Sequence, residues 1–279
     1  MKDKINNIIL VPTDFSEVCE NAINQAAEAA QFFKYELHLL HVIDKSTYAF
    51  LKEENLGIDS IYSQLQEIAD GLTTKYGIDV KIKAEDGDIF STIKSVAQHL
   101  GAKLVYLGTH GKVGMQKLTG SFALRIITES PAPVIVVQKR KFKEGFQNIL
   151  LPITSDAGPW EKTNWASFMA KQLNAKVHLM SIPGKSIEAT TNTLTKYFDE
   201  HDVKYTSTTV EKSANFSQQV IEHATSNNYD LIMIMTNPDT SWTQYLLGSY
   251  DEEIIFNGSQ IPVMCINPRK YNWEKILQY

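Results

Sequence analysis

Along the first half of the chain, short unbroken apolar runs alternate with longer stretches in which apolar residues recur every three or four positions. "NIILVP" predicts a fully buried strand, and "SEVCENAINQAAEAAQFF" predicts an amphipathic helix with Ser16 as its N-cap. "ELHLLHVI" predicts a second strand, followed by a segment without a clear period. The helix "IYSQLQEIADGLTTKY", the strand "DVKIKAE", the helix "IFSTIKSVAQHL" and the strand "KLVYLG" come next. A glycine-rich loop then leads into a helix from Ser121 and a last strand, "PVIVVQ". Strands alternating with helices of this length predict crossover connections and a parallel sheet covered on both faces.

The second half repeats the order. "QNILLPIT" answers "NIILVPTD" with Pro152 lying 140 residues after Pro12, and "KVHLMSI" answers "ELHLLHV" at the same offset. "LIMIMT" answers "KLVYLG", "LLGSYDEEII" answers "KLTGSFALRII" with Gly248 lying 128 residues after Gly120, and "IPVMCIN" answers "APVIVVQ". The pattern is a duplication: a first domain over residues 1–143, a second over 144–270, and an extension over 271–279. Each copy is expected to be an open, five-stranded, parallel α/β sheet of Rossmann-like type, with "PVIVV" and "PVMCI" at sheet edges that need covering.

Composition narrows the classes of function. With 279 residues, 43% of them hydrophobic, the chain has enough apolar surface for two buried cores. Its charge of -5 is made of interspersed acids and bases, and the short "QKRKFKEG" cluster reads as a solvated linker, so no nucleic-acid footprint is expected. The two cysteines, Cys19 and Cys265, form neither a disulfide framework nor a metal spacing and suit a reducing cytoplasm. No run approaches the roughly 18 apolar residues of a membrane helix. The "MKDKINNIIL" start lacks the features of a signal peptide.

In an open parallel sheet the ligand crevice lies beyond the carboxyl ends of the strands, where strand order reverses. That draws attention to Pro12, Thr13 and Asp14 after the first strand, Val42 near the end of the second, Gly87 and Asp88 after the third, and Gly108 onward after the fourth. "GTHGKVGMQKLTGS" spends four glycines between a strand and a helix start, where free backbone N–H groups and the positive end of the helix dipole suit a phosphate. A purely structural turn is the competing explanation.

These residues resemble the universal stress protein family in its tandem two-domain form, over essentially the whole chain. The family's nucleotide-binding members carry a glycine, two residues, a glycine, nine residues, then glycine and serine or threonine. Gly108, Gly111, Gly120 and Ser121 match, except that only eight residues, Lys112 to Thr119, intervene. The resemblance implies an adenine nucleotide alpha hydrolase-like fold and an ATP site built from Pro12, Thr13, Asp14, Val42, Leu107, Gly108, Gly111, Gly120, Ser121 and Phe122. Magnesium is a possible companion, and AMP or ADP stays open as the ligand. It also implies that the two copies pair as a family homodimer does, with pseudo-twofold symmetry, and that an unidentified protein partner reads the nucleotide state.

Aligned on Gly248 and Ser249, the second copy holds Thr236 and Asp239 at the places of Gly108 and Gly111, and Thr154 at that of Asp14. It is therefore expected not to bind ATP. His110 has no orienting carboxylate beside it in sequence, and His38 and His41 lie an odd number apart in a strand, on opposite faces. No catalytic or metal-ligating residue is assigned. Lys112 and Lys117 read as solvated loop lysines, and Asp86 to Asp88 as a turn and helix cap. Three functions stay open: a cytoplasmic nucleotide-binding stress sensor with at most slow hydrolysis, a nucleotide-free interaction protein, and a nucleotide hydrolase or transferase.

Overall fold

The computed structural model describes residues 7–109, 120–141, 145–153, 160–211, 215–236 and 249–267. The chain divides into two units, Met1–Lys141 and Phe142–Tyr279. The first unit runs β1 (Ile8–Pro12), α1 (Glu17–Phe33), β2 (Glu36–Ile43), α2 (Lys45–Glu53), α3 (Asp59–Tyr76), β3 (Val80–Asp86), α4 (Ile89–Leu100), β4 (Leu104–Gly108), α5 (Gly120–Glu129) and β5 (Val134–Val137). Its strands are parallel, in the order β3-β2-β1-β4-β5. Order reverses between β1 and β4, so the crevice for a ligand opens at their carboxyl ends.

The apolar runs become the centre of the sheet because only there are both faces covered. β1 and β4 are buried along their whole length, whereas β3 alternates between half-buried and exposed. Helix α1 presents Ala22, Ala26, Ala27 and Ala30, all fully buried, and these short side chains let its backbone approach the sheet closely. The segment without a clear period contains α2, which is nucleated by Asp44: its carboxylate accepts the amides of Ser46 and Thr47 at 3.1 and 2.9 Å. Ser16 does occupy the N-cap position of α1, but its side chain makes no capping bond.

The second unit runs β6 (Asn148–Ile153), α6 (Trp160–Leu173), β7 (Lys176–Ser181), α7 (Lys185–Glu200), β8 (Tyr205–Thr209), α8 (Phe216–Ser226), β9 (Leu231–Met235), α9 (Ser249–Ile255) and β10 (Val263–Ile266). Its parallel order, β8-β7-β6-β9-β10, repeats the first. Strand register corrects the sequence alignment by one residue. Leu10 pairs with Val105, and Leu150 pairs with Ile232, which sets Met235 at the place of Gly108 and Thr236 at that of Thr109. The amides of Thr109 and Thr236 make the same bond, to Val137 O and Ile266 O, each at 2.9 Å. Three residues on from Met235 stands Pro238, not Asp239, and Gly248 follows Met235 by 13 positions where Gly120 follows Gly108 by 12. The gap was misplaced because the second loop is one residue longer than the first.

The units also differ in their cores. Where the first has the fully buried Ala22 and Ala123, the second has Lys162 and Asp251, both buried. Lys162 Nζ donates to Pro152 O at 2.5 Å. Burial pulls the ammonium down to about 8, with the Asp251 charge opposing, and pushes the Asp251 carboxyl up to about 6, with Lys162 opposing. Each charge offsets part of the cost of burying the other. Lys162→Met is expected to destabilise the chain by about 3 kcal/mol, because it strands the carboxylate. Asp251→Ala added to it, which restores an apolar pairing like that of the first unit, is expected to recover most of the loss. Urea midpoints of the single and double variants check this, and additive losses would contradict it.

Candidate functional site

Between β1 and α1 the chain turns through "TDFS", and three local bonds fix the turn. The Thr13 amide bonds Leu40 O at 2.8 Å, which extends the pairing of β1 with β2 by one residue. Thr13 Oγ1 accepts the Phe15 amide and Asp14 Oδ1 accepts the Ser16 amide, both at 3.0 Å. Phe15 is left-handed, with φ of 64°, a conformation that costs a bulky residue about 1–2 kcal/mol. Its ring lies over His41, centroids 4.7 Å apart and planes at 16°. Phe15 has to be left-handed because α1 starts at once, in a direction set by its packing against β4.

The Asp14 carboxylate is charged at neutral pH. Burial works against ionisation, but the nearby Ser16 hydroxyl and Cys19 thiol, together with the Ser16 amide that donates to Oδ1, outweigh it and hold the carboxyl below its ordinary value. Cys19 beneath it is fully buried, and burial together with the Asp14 charge pushes its thiol up to about 12. The thiol is therefore not a nucleophile, and the polar chemistry of the turn belongs to Asp14 and Thr13.

A shallow, open cleft lies beside this turn, lined by Pro12, Thr13, Asp14, Leu40, His41, Val42, Ile89 and Ile93. A mainly apolar wall with one carboxylate at hand suits a flat, partly apolar ring carrying hydroxyls. Its far wall is positioned by Asp88, which caps α4 by accepting the amides of Phe90 and Ser91, each at 3.1 Å. Gly87 before it has φ of 150°, and a Cβ there meets Thr92 Oγ1 at 2.5 Å, so the turn into α4 requires glycine.

Of the expected site residues, Pro12, Thr13, Asp14 and Val42 come together in the cleft. Leu107 does not: it is a fully buried β4 residue and lies outside the cleft lining. Gly108 is explained by packing. A Cβ on it meets Val18 O at 2.7 Å and the Cys19 backbone at 2.9 Å, so α1 rests where any side chain would go. Phe122, in the first turn of α5, stacks on Phe90 at 5.2 Å and leaves 38% of its surface exposed. Gly120 opens α5 and Ser121 follows it. Gly111 lies outside the described residues, with His110, Lys112 and Lys117.

Leu40, His41, Ile89 and Ile93 were not foreseen in the cleft. The two isoleucines were legible as helix-periodic apolar positions after a cap. His41 was weighed only as a metal ligand, and it instead bonds Thr13 O and Thr47. His38 bonds Glu36 at 3.4 Å. Among the described residues, no cluster of three His, Cys, Asp or Glu is arranged to hold a metal, and no helix is long and apolar enough to cross a membrane.

Residues 6–138 match the model of the universal stress protein family. A universal stress protein of Methanocaldococcus jannaschii is 31% identical over 142 residues, covering 48% of this chain and 82% of that protein. The crystal structure of a universal stress protein from Archaeoglobus fulgidus covers 94% of this chain and 98% of its own at 17% identity, with a TM-score of 0.73, a likeness of fold that takes in both units. A universal stress protein solved in complex with cAMP covers 48% of this chain and 98% of its own, at 18% identity and a TM-score of 0.38.

The packing role of Gly108 has a direct consequence. Gly108→Ala is expected to destabilise the chain by about 3 kcal/mol, since its contacts are backbone atoms that cannot rotate away. Denaturant midpoints measured without any ligand check this. A midpoint equal to that of the unaltered chain would mean that α1 retreats freely.

Proposed function

From the premise that the chain belongs to the universal stress protein family, we propose that its first unit binds an adenine nucleotide and that occupancy of the site is the signal of a stress-response sensor or regulator. The cleft beside Asp14 carries this reading. In it, the adenine lies against the apolar wall near Val42, and the Asp14 carboxylate accepts hydrogen bonds from the ribose hydroxyls. Thr13 and Pro12 form the floor. The phosphates extend toward the first turn of α5, where the N–H groups of Gly120, Ser121 and Phe122 open a ten-residue helix. Bound nucleotide supplies the signal, and the chain supplies orientation.

ATP, with or without magnesium, is the leading ligand, and AMP or ADP satisfies the same adenosine contacts. No residue is assigned to hydrolysis, which is at most slow. A cytoplasmic location and an unidentified protein partner belong to the same proposal. The second unit is assigned a structural role, since Met235 stands in place of Gly108 and Pro238, which has no N–H, in place of Gly111. A nucleotide-free interaction protein is the second reading, and one observation favours it: Gly108 is needed for packing whether or not a ligand is present.

Mass spectrometry of the supernatant from freshly purified, denatured protein separates the two. About one adenine nucleotide per chain is expected. In calorimetric titration with Mg-ATP, Asp14→Ala is expected to weaken binding tenfold to about a hundredfold, the equivalent of one charged hydrogen bond at about 1.5–3 kcal/mol. No nucleotide after purification and no heat on titration would leave the second reading in place.

A further inference from the structure

We propose that His41 is the positioning residue of the Asp14 turn, setting the carboxylate where it reads the sugar of the bound ligand; this rests on the nucleotide reading above. His41 is 6% exposed and contributes to the cleft lining. It holds the turn on both sides of Asp14. On one side, its Nδ1 lies 2.9 Å from Thr13 O. A carbonyl only accepts, so Nδ1 carries the proton and the bond fixes the ring's tautomer. On the other side, the imidazole face stacks on Phe15, the residue held at φ of 64°.

The ring is itself anchored from behind. Its Nε2 lies 3.3 Å from Thr47 Oγ1, and the Thr47 amide is fixed by the Asp44 cap of α2 at 2.9 Å. Thr13 is tied to β2 a second time through its amide and Leu40 O. Asp14 is therefore carried between two clamped neighbours. A carboxylate that has to meet a hydroxyl within a few tenths of an ångström depends on such support more than on its own flexibility.

The sharpest test compares two substitutions that each keep half of the clamp. His41→Phe keeps a ring over Phe15 and loses both hydrogen bonds, whereas His41→Asn places an N–H near the position of Nδ1 and loses the ring. Affinities for Mg-ATP and for Mg-2′-deoxy-ATP are measured by calorimetry on the full chain, with circular dichroism reporting the fold. His41→Phe is expected to weaken ATP tenfold or more and 2′-deoxy-ATP less, so that discrimination between the sugars shrinks. His41→Asn is expected to restore part of both. In combination with Asp14→Ala, His41→Phe is expected to cost little more than Asp14→Ala alone, since the histidine acts through the carboxylate.

A residue that merely stabilised the fold would move the melting temperature and leave the sugar preference unchanged. Tight ATP binding by folded His41→Phe, or a loss fully additive with Asp14→Ala, overturns the assignment while leaving the nucleotide reading intact. Thr47→Val, a milder change, decides the case if His41→Phe fails to fold: unaltered sugar preference there overturns it as well. Failure of the unaltered chain to bind ATP overturns the nucleotide reading and this assignment together.

Discussion

The first unit depends on one close approach: the backbone of α1 lies against β4 at Gly108, with Val18 O and Cys19 where a Cβ would be. Much follows from it. The alanine face of α1 and the absence of a side chain at Gly108 are two halves of the same contact. With α1 drawn down onto the sheet, only four residues, Thr13 to Ser16, connect it to β1. A connection that short has few conformations, and the one adopted puts Phe15 in the left-handed region and brings the Asp14 carboxylate back onto the Ser16 amide. Packing energy thus holds a carboxylate at the mouth of the crevice, and hydrogen bonds keep it charged there.

The second unit keeps the topology and drops this contact. Met235 occupies the position of Gly108, so the approach of helix to strand that glycine permits is not available in the same form. Its core instead contains Lys162 and Asp251, each resisting its charge through burial and each supported by the other. A buried pair of this kind adds little net stability compared with an apolar core, and removing one partner is costly. Strand order and register, which rest on backbone pairing, survived the divergence of the two halves, whereas the glycine contact between helix and sheet and most residues of the crevice, Pro12 apart, did not.

The elements legible in the sequence are those whose pattern is local. Unbroken apolar runs marked β1 and β4, helical spacing marked α1 and α4, and the repeat at an offset of 140 that falls to 128 after the second strand marked the second unit. Asp88 as the cap of α4 was legible because a cap and its helix are adjacent. Helix α2 escaped because only Thr47 and Leu51 of its nine residues are buried, which leaves no apolar stripe, although the "DKST" start carried a capping signal. Strand register was misread by one residue, because glycine and serine at the helix start gave a stronger match than the strand end. His41 escaped for a different reason: its partners, Thr13 and Phe15, are far from it in sequence and meet it only across β1 and β2.

Gly108 illustrates how a motif can mix two requirements. A glycine-rich stretch after a strand reads as one device for a phosphate, yet its first glycine is needed by the fold whether or not a ligand is bound. The adjoining polar turn is different. A left-handed phenylalanine is costly, and a half-buried charged aspartate and a buried histidine are tolerated only because polar partners hold them; packing α1 requires the short, left-handed connection but not these side chains. Glycine or asparagine at position 15 would satisfy the backbone at lower cost. That the chain carries an aromatic ring there, stacked on a histidine beside a cleft, goes beyond what the backbone requires, and it is the reason the proposed site is centred on Asp14 and not on the glycine loop.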